Sequence, residues 1–195
     1  MTAETAMPRE NPHEDAFAAL TASKTLLTLT VAGCGLAVIA GLALSPDAAG
    51  AVVGLALAGL LVCGVVDFAS FRIPNAITYG GLVLVLAASL LLGEAAPGRA
   101  GLGALVGGGL MLALSLFSRG SLGLGDVKLS AFGGALVGSD FVLQALLAGA
   151  VGAAAVCLPL VLAGRLRRDQ PIPFGPSLSF GFALVALATG TTLNI

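Results

Sequence analysis

Two aspartates stand at the edges of otherwise apolar runs. Asp67 closes the run Gly64-Val65-Val66-Asp67-Phe68, and Asp126 opens another after Ser121-Leu122-Gly123-Leu124-Gly125. Two carboxyl groups that share a site divide the labour of peptide hydrolysis: one takes a proton from water, the other gives one to the carbonyl oxygen. Each residue also has a simpler reading. Aspartate is a good helix N-cap, which suits Asp126, and an interfacial aspartate can end an apolar span, which suits Asp67. The glycines before Asp126, Gly123 and Gly125, leave bare backbone against which an extended peptide can lie. Lys128 follows two residues later, a cation placed either to reach headgroups or to act on Asp126.

The elements that must position these groups follow from composition. The chain has 195 residues, 57% of them hydrophobic and only 10% charged, against roughly 25% charged in an ordinary soluble protein. Such a chain lacks the polar groups to cover a water-facing surface. Six of its charges (Glu4, Arg9, Glu10, Glu14, Asp15, Lys24) fall in the first 24 residues. The rest punctuate charge-free stretches at 25–46, 48–66, 73–93, 100–118, 129–139, 141–164 and 170–195. A membrane-crossing helix needs roughly 20 apolar residues, and nothing alternates as barrel strands do. The fold class is an all-α polytopic membrane protein of about seven transmembrane helices. The predicted spans are 25–45, 48–67, 76–93, 100–118, 126–139, 141–164 and 176–194. A polar tail, 1–24, is expected to be disordered, followed by an extra N-terminal helix in 25–47 and a six-helix core in 48–195.

With seven spans, Arg9, Lys24, Arg72, Arg119, Lys128, Arg165, Arg167 and Arg168 share one side, and Arg99 stands alone on the other. The positive-inside rule then puts the N-terminus in the cytosol and the C-terminus outside. Both aspartates fall on the cytosolic side. If Asp140 marks the outer boundary, the short span from Asp126 sets that carboxyl roughly 9 Å inside a ~30 Å core. An ionisable group at such depth points to function. Two of them on one face, at the end of one helix and the start of another, favour a catalytic pair over two unrelated caps. Helix polarity suggests Asp126, at a helix start, as the base and Asp67, at a helix end, as the acid.

Other chemistries are excluded. The net charge is −1 and there is no tryptophan, so no footprint for nucleic acid is present. Cys34, Cys63 and Cys157 stand singly in apolar runs and read as small core residues. His13, the one histidine, lies in the polar tail, which leaves no histidine for a nucleophile pair or a metal within the membrane. The abundant glycines inside the spans read as close-packing positions between helices.

The segment Gly123-Leu124-Gly125-Asp126-Val127-Lys128 resembles the GxGDxK signature of the prepilin peptidases, or type IV leader peptidases, a family of intramembrane aspartic proteases. Asp67 with the Ile73-Pro74-Asn75 that follows is similar to the family's first aspartate and its IPN. Pro171-Ile172-Pro173-Phe174-Gly175-Pro176 resembles its late cytosolic loop. At this glycine content GxGD alone arises by chance in roughly one such chain in eight, so the lysine and the two further motifs carry the match. The resemblance spans about 48–190. It implies Asp67 and Asp126 as the catalytic residues, Gly123, Gly125 and Lys128 as the supporting loop, and no cofactor or metal. It gives no role to Lys128 itself or to the Pro171–Pro176 loop.

Longer family members carry an N-terminal domain with paired CxxC motifs and also methylate the cleaved pilin. Without those cysteine pairs, zinc, S-adenosylmethionine and methyl transfer are not implied here, and the chain looks like the family's short form. The function implied is cleavage of a basic leader from prepilin or pseudopilin-like precursors at the cytosolic face of a bacterial inner membrane. The substrate's hydrophobic helix stays in the lipid bilayer. The alternative is a transporter or channel subunit using Asp67 and Asp126 as a proton or cation relay; the third is an inactive scaffold.

Overall fold

The structure is a computed structural model that describes residues 24–92, 97–118, 122–163, 173–189, 191 and 193. The tail 1–23 with His13, and Glu94, Arg119, Ser121, Arg165, Arg167, Arg168, Asp169, Pro171 and Ile172, lie outside the described residues.

Seven α-helices make up the described chain: α1 (Lys24–Leu44), α2 (Ala48–Ser70), α3 (Asn75–Leu91), α4 (Pro97–Phe117), α5 (Leu124–Val137), α6 (Val142–Leu162) and α7 (Gly175–Thr189). There is no strand among the described residues. Helices α1, α2, α4 and α6 are long and apolar enough to cross a membrane, and α3 and α7 are shorter apolar helices. Together they form a polytopic membrane protein. Its outward face is apolar: Leu29, Leu36, Ile39, Leu91, Leu105, Leu116, Phe117 and Leu162 are all more than 60% exposed. In water this would be a liability; in a bilayer it is the lipid-facing surface.

The shortest helix is the central one. At 14 residues, α5 is about 21 Å long, less than a bilayer core. It packs against α2, α3, α4, α6 and α7, so its two ends meet protein. Leu129, Phe132, Ala135 and Leu136 on it are fully buried. Lipid supplies no hydrophobic drive between helices, so close packing must hold them. A Cβ on Gly103 would stand 2.1 Å from the Gly134 carbonyl oxygen, and one on Gly134 would stand 2.3 Å from that of Gly103. The antiparallel backbones of α4 and α5 therefore touch. By contrast α1, among the described residues, packs on α2 alone.

Several boundaries differ from the sequence expectation by two residues or more, and two of them bear on the site. Helix α2 runs three residues past Asp67, to Ser70, and ends at Phe71 in the left-handed conformation (φ 53°). Asp67 thus lies in the last turn and is not itself the stop. Helix α5 starts two residues before Asp126, with Gly123 at the N-cap. Asp126 is consequently a first-turn residue and not the cap. The last helix ends at Thr189, five residues before the expected end.

At the end of the bundle away from the aspartates, Arg99 pairs with Asp140, and the Ser139 N–H bonds the Arg99 carbonyl at 3.1 Å. Asp47 caps α2 there by accepting the Gly50 N–H at 3.0 Å, which holds its carboxyl below the ordinary aspartate range.

Candidate active site

The path from Asp67 to Asp126 is built from local rules. After Asp67 the left-handed Phe71, whose N–H bonds the Asp67 carbonyl at 2.8 Å, ends α2. Pro74 keeps Ile73 out of helical conformation and cannot itself continue the helix, so the chain reverses and α3 begins at Asn75. This turn puts Ile73 against Gly125: a Cβ on Gly125 would stand 3.2 Å from Ile73 Cβ. It also presents Asn75 to α5. The Lys128 ammonium donates to Asn75 Oδ1 at 2.9 Å and sits 5.2 Å from the Tyr79 ring centre. Lys128 therefore turns toward α3, where the sequence suggested headgroups or Asp126, and it joins the Asp126 motif to the Asp67 motif.

Both carboxyl groups are buried, with Asp67 6% and Asp126 8% exposed. They come from helices α2 and α5, which pack together, Asp67 in the last turn of one and Asp126 in the first turn of the other. Asp67 Oδ2 accepts the Gly175 N–H at 2.9 Å. Gly175 is the first residue of α7, where backbone donors lack partners within the helix. Asp126 sits in the first turn of α5, and its Oδ2 turns back over Gly123, 3.6 Å from the place of a Cβ there. Each carboxyl thus meets the N-terminal end of a helix, α7 for Asp67 and α5 for Asp126. Asp67 remains in the last turn of its own helix, and the α7 N-terminus adds a second, opposite polarity at its carboxyl.

Of the residues singled out in the sequence, Asp67, Asp126, Gly123, Gly125 and Lys128 come together at one end of the bundle. Gly125 is helical and packs against Ile73, and Gly123, with φ −70°, needs no glycine-only conformation. The sequence by itself assigns no role to Gly175, Ile73, Asn75 or Tyr79. A signal for Gly175 was present in Phe174-Gly175-Pro176, since proline favours the first helical positions and marks where free N–H groups point outward. Cys34, Cys63 and Cys157 lie on α1, α2 and α6. Among the described residues no group of three or more His, Cys, Asp or Glu is placed to hold a metal ion.

Two consequences can be measured. Gly125→Val should lower activity at least about a hundredfold, because its γ carbons would enter Ile73 and shift Asp126; a displacement of about 1 Å is enough for that loss. Gly125→Ala, a single tight methyl, should cost less, and equal activity of the valine variant would show the contact to be yielding. Lys128→Met should reduce turnover about tenfold, since a charged hydrogen bond contributes about 1.5–3 kcal/mol and only part reaches the carboxyl. Asn75→Ala should cost the same, and the double variant no more than either single one. Additive losses would place Lys128 and Asn75 in separate roles.

A family model described as the type IV leader peptidase family matches residues 54–158, which include both aspartates. A prepilin leader peptidase/N-methyltransferase of Burkholderia pseudomallei (strain 1026b) is 37% identical over 132 residues, covering 65% of this chain and 42% of that protein. One of Bacillus subtilis (strain 168) is 35% identical over 134 residues, covering 66% of this chain and 52% of that protein. The chain spans about half the length of the curated relatives it matches. No solved structure matches it.

Proposed function

The chain belongs to the type IV leader peptidase family, and from that premise we propose that it is an intramembrane aspartic endopeptidase with Asp67 and Asp126 as its catalytic pair. The observation that carries the reading is two buried carboxyl groups from separate motifs, on packed helices, at one end of an apolar bundle. One carboxylate takes a proton from a water molecule, whose oxygen attacks the scissile carbonyl. The other carboxyl gives its proton to the carbonyl oxygen. Collapse of the resulting gem-diol returns a proton to the leaving amine and frees the leader as a carboxylic acid. Helices α2–α7 form the peptidase core, and α1 is an accessory helix resting on α2.

The substrate class is a prepilin or pseudopilin-like precursor, with a short basic leader at the cytosolic face and a hydrophobic helix left in the bilayer. Lys24, Arg72 and Lys128 belong to the aspartate end of the bundle and Arg99 to the opposite end, which supports a cytosolic site and a cytosolic N-terminus. The proposed location is a bacterial inner membrane.

The test is co-expression with a prepilin and then reconstitution of the purified pair, with leader loss followed on a gel. Cleavage by the chain alone is the expected result. A chain that leaves the precursor intact, yet carries protons into proteoliposomes along a gradient, would replace the protease with the relay reading.

A further inference from the structure

Helix α1 is held backbone to backbone only at the end away from the aspartates. A Cβ on Gly41 would stand 2.4 Å from the Gly50 carbonyl oxygen and the Gly54 nitrogen, so α1 and α2 touch there. About two turns nearer the aspartates, the nearest atoms to a Cβ on Gly33 belong to the Leu61 side chain, at 2.8 Å. Among the described residues α1 makes no contact with α7. Between them, over α2, lies an apolar groove of about 610 Å³. It runs from Leu26, Phe68 and Pro176 to Ala40, Leu57 and Leu187. Pro176 to Leu187 is about 17 Å of helix, roughly half of a ~30 Å bilayer core.

The floor of this groove is the seam between α2 and α7, and the seam leads to the candidate site. A Cβ on Gly64 would stand 3.2 Å from Pro176 Cα and 3.3 Å from Ser179 Oγ. One turn further along α2, in the same seam, Asp67 Oδ2 accepts the Gly175 N–H. Ser179 is the one polar side chain lining the groove; it is 5% exposed, and its Oγ bonds no protein group. Other helical hydroxyls, those of Thr30, Ser70, Ser89 and Thr189, each bond a carbonyl three or four residues back. A buried hydroxyl left unpaired marks a place for a partner. A second groove, of about 470 Å³, lies between α4 and α6 on the other side of α7, and no described residue of α2 lines it.

We propose that the groove between α1, α2 and α7 receives the first turns of the precursor's hydrophobic helix, with α1 as its outer wall and Ser179 as its polar contact. The proposal rests on the reading of Asp67 and Asp126 as the catalytic pair of a leader peptidase. A precursor cut at those carboxyl groups has its membrane helix beginning beside them. The first N–H groups of a helix lack partners within it, and the bilayer core has no water to supply them. Ser179 lies four residues past Gly175, about 6 Å along α7, where its oxygen can accept one of those N–H groups as the helix descends. The apolar walls hold the side chains, as grooves that take helices do. A lipid acyl chain would fill the same walls and leave the hydroxyl unpaired, so a peptide helix is the better occupant.

The full chain, reconstituted with a prepilin that carries its helix, tests the groove. The photo-reactive p-benzoylphenylalanine is placed singly at Leu36 on α1, at Phe180 on α7 and, as control, at Leu147 in the second groove. Each is combined with Asp126→Asn to keep the precursor whole. The three positions are 67%, 58% and 64% exposed, so no core is disturbed. Adducts with the precursor are expected at Leu36 and Phe180, with background alone at Leu147. In the active chain, Ala183→Trp should fill the groove and raise KM about tenfold, with kcat and the thermal midpoint kept. Ala150→Trp, in the second groove, should leave KM unchanged. Ser179→Ala should raise KM about fivefold at unchanged kcat. Precursor adducts at Leu147 in place of the other two overturn the proposal, as do groove adducts with lipid alone or with residues 1–23 of the same chain. A wild-type KM in Ala183→Trp also overturns it; if that variant fails to fold, the adducts decide. If the groove gives no precursor adduct while the asparagine variants are dead, the groove alone is wrong. If Asp67→Asn and Asp126→Asn cleave normally, the catalytic pair is wrong and the groove falls with it.

Discussion

Asp126→Asn and Asp67→Asn should each lower leader cleavage at least about a thousandfold, with the protein still folded and inserted. Asparagine keeps the shape of aspartate but can neither take a proton from water nor supply one to a carbonyl. General acid or base catalysis contributes about 10²–10⁴ in rate, and a thousandfold corresponds to about 4 kcal/mol in the barrier. The competing cause of such a loss is unfolding, and the structure argues against it. In Asp67→Asn the amide oxygen can still accept the Gly175 N–H, so the bond at 2.9 Å survives the change. Asp126 holds no ion pair among the described residues, so its replacement leaves no charge stranded. Cleavage rates per folded molecule, read against the thermal midpoint in detergent, separate the two causes. Near-normal processing by either variant would remove that residue from the chemistry.

The charge-free runs are enough to find seven helices within a few residues, because lipid penalises charge over a length that the chain must repeat. The same composition hides which helix touches which. A helix apolar on every side shows no stripe that names its buried face, so the central place of α5 is invisible in Leu129, Phe132 and Leu136. The aspartates are legible as exceptions within that background. Their surroundings are not, since Lys128 by sequence suits headgroups or Asp126 and reaches instead Asn75, 53 residues away. Helix polarity is incomplete for a related reason: besides the end of its own helix, Asp67 meets the start of α7.

The Gly175–Asp67 contact leads to the most exposed expectation. Gly175→Ala should lower cleavage at least about a hundredfold while the protein keeps its fold. A Cβ at this position would stand 2.7 Å from Asp67 Oδ2 and 2.9 Å from its Cβ and Cγ. Something must therefore shift. Neither neighbour is free to yield: Asp67 is in the last turn of α2, and Gly175 starts α7 beside Pro176, whose ring fixes its own backbone. The conformation of Gly175 is not at issue, since among the described residues Gly138 is the glycine with positive φ. The added methyl alone is responsible. It either separates α7 from α2, losing a charged hydrogen bond of about 1.5–3 kcal/mol, or rotates the carboxyl away from Asp126. Both displace the carboxyl proposed to react by about the 1 Å that costs a hundredfold. Gly109→Ala is the matched control, because a Cβ there meets nothing within 4 Å; it should leave cleavage unchanged and, as an exposed helix position, add about 1 kcal/mol of stability. Full activity in the Gly175 variant would show that Asp67 acts without the α7 terminus, and that the Phe174-Gly175-Pro176 segment serves only to start a helix.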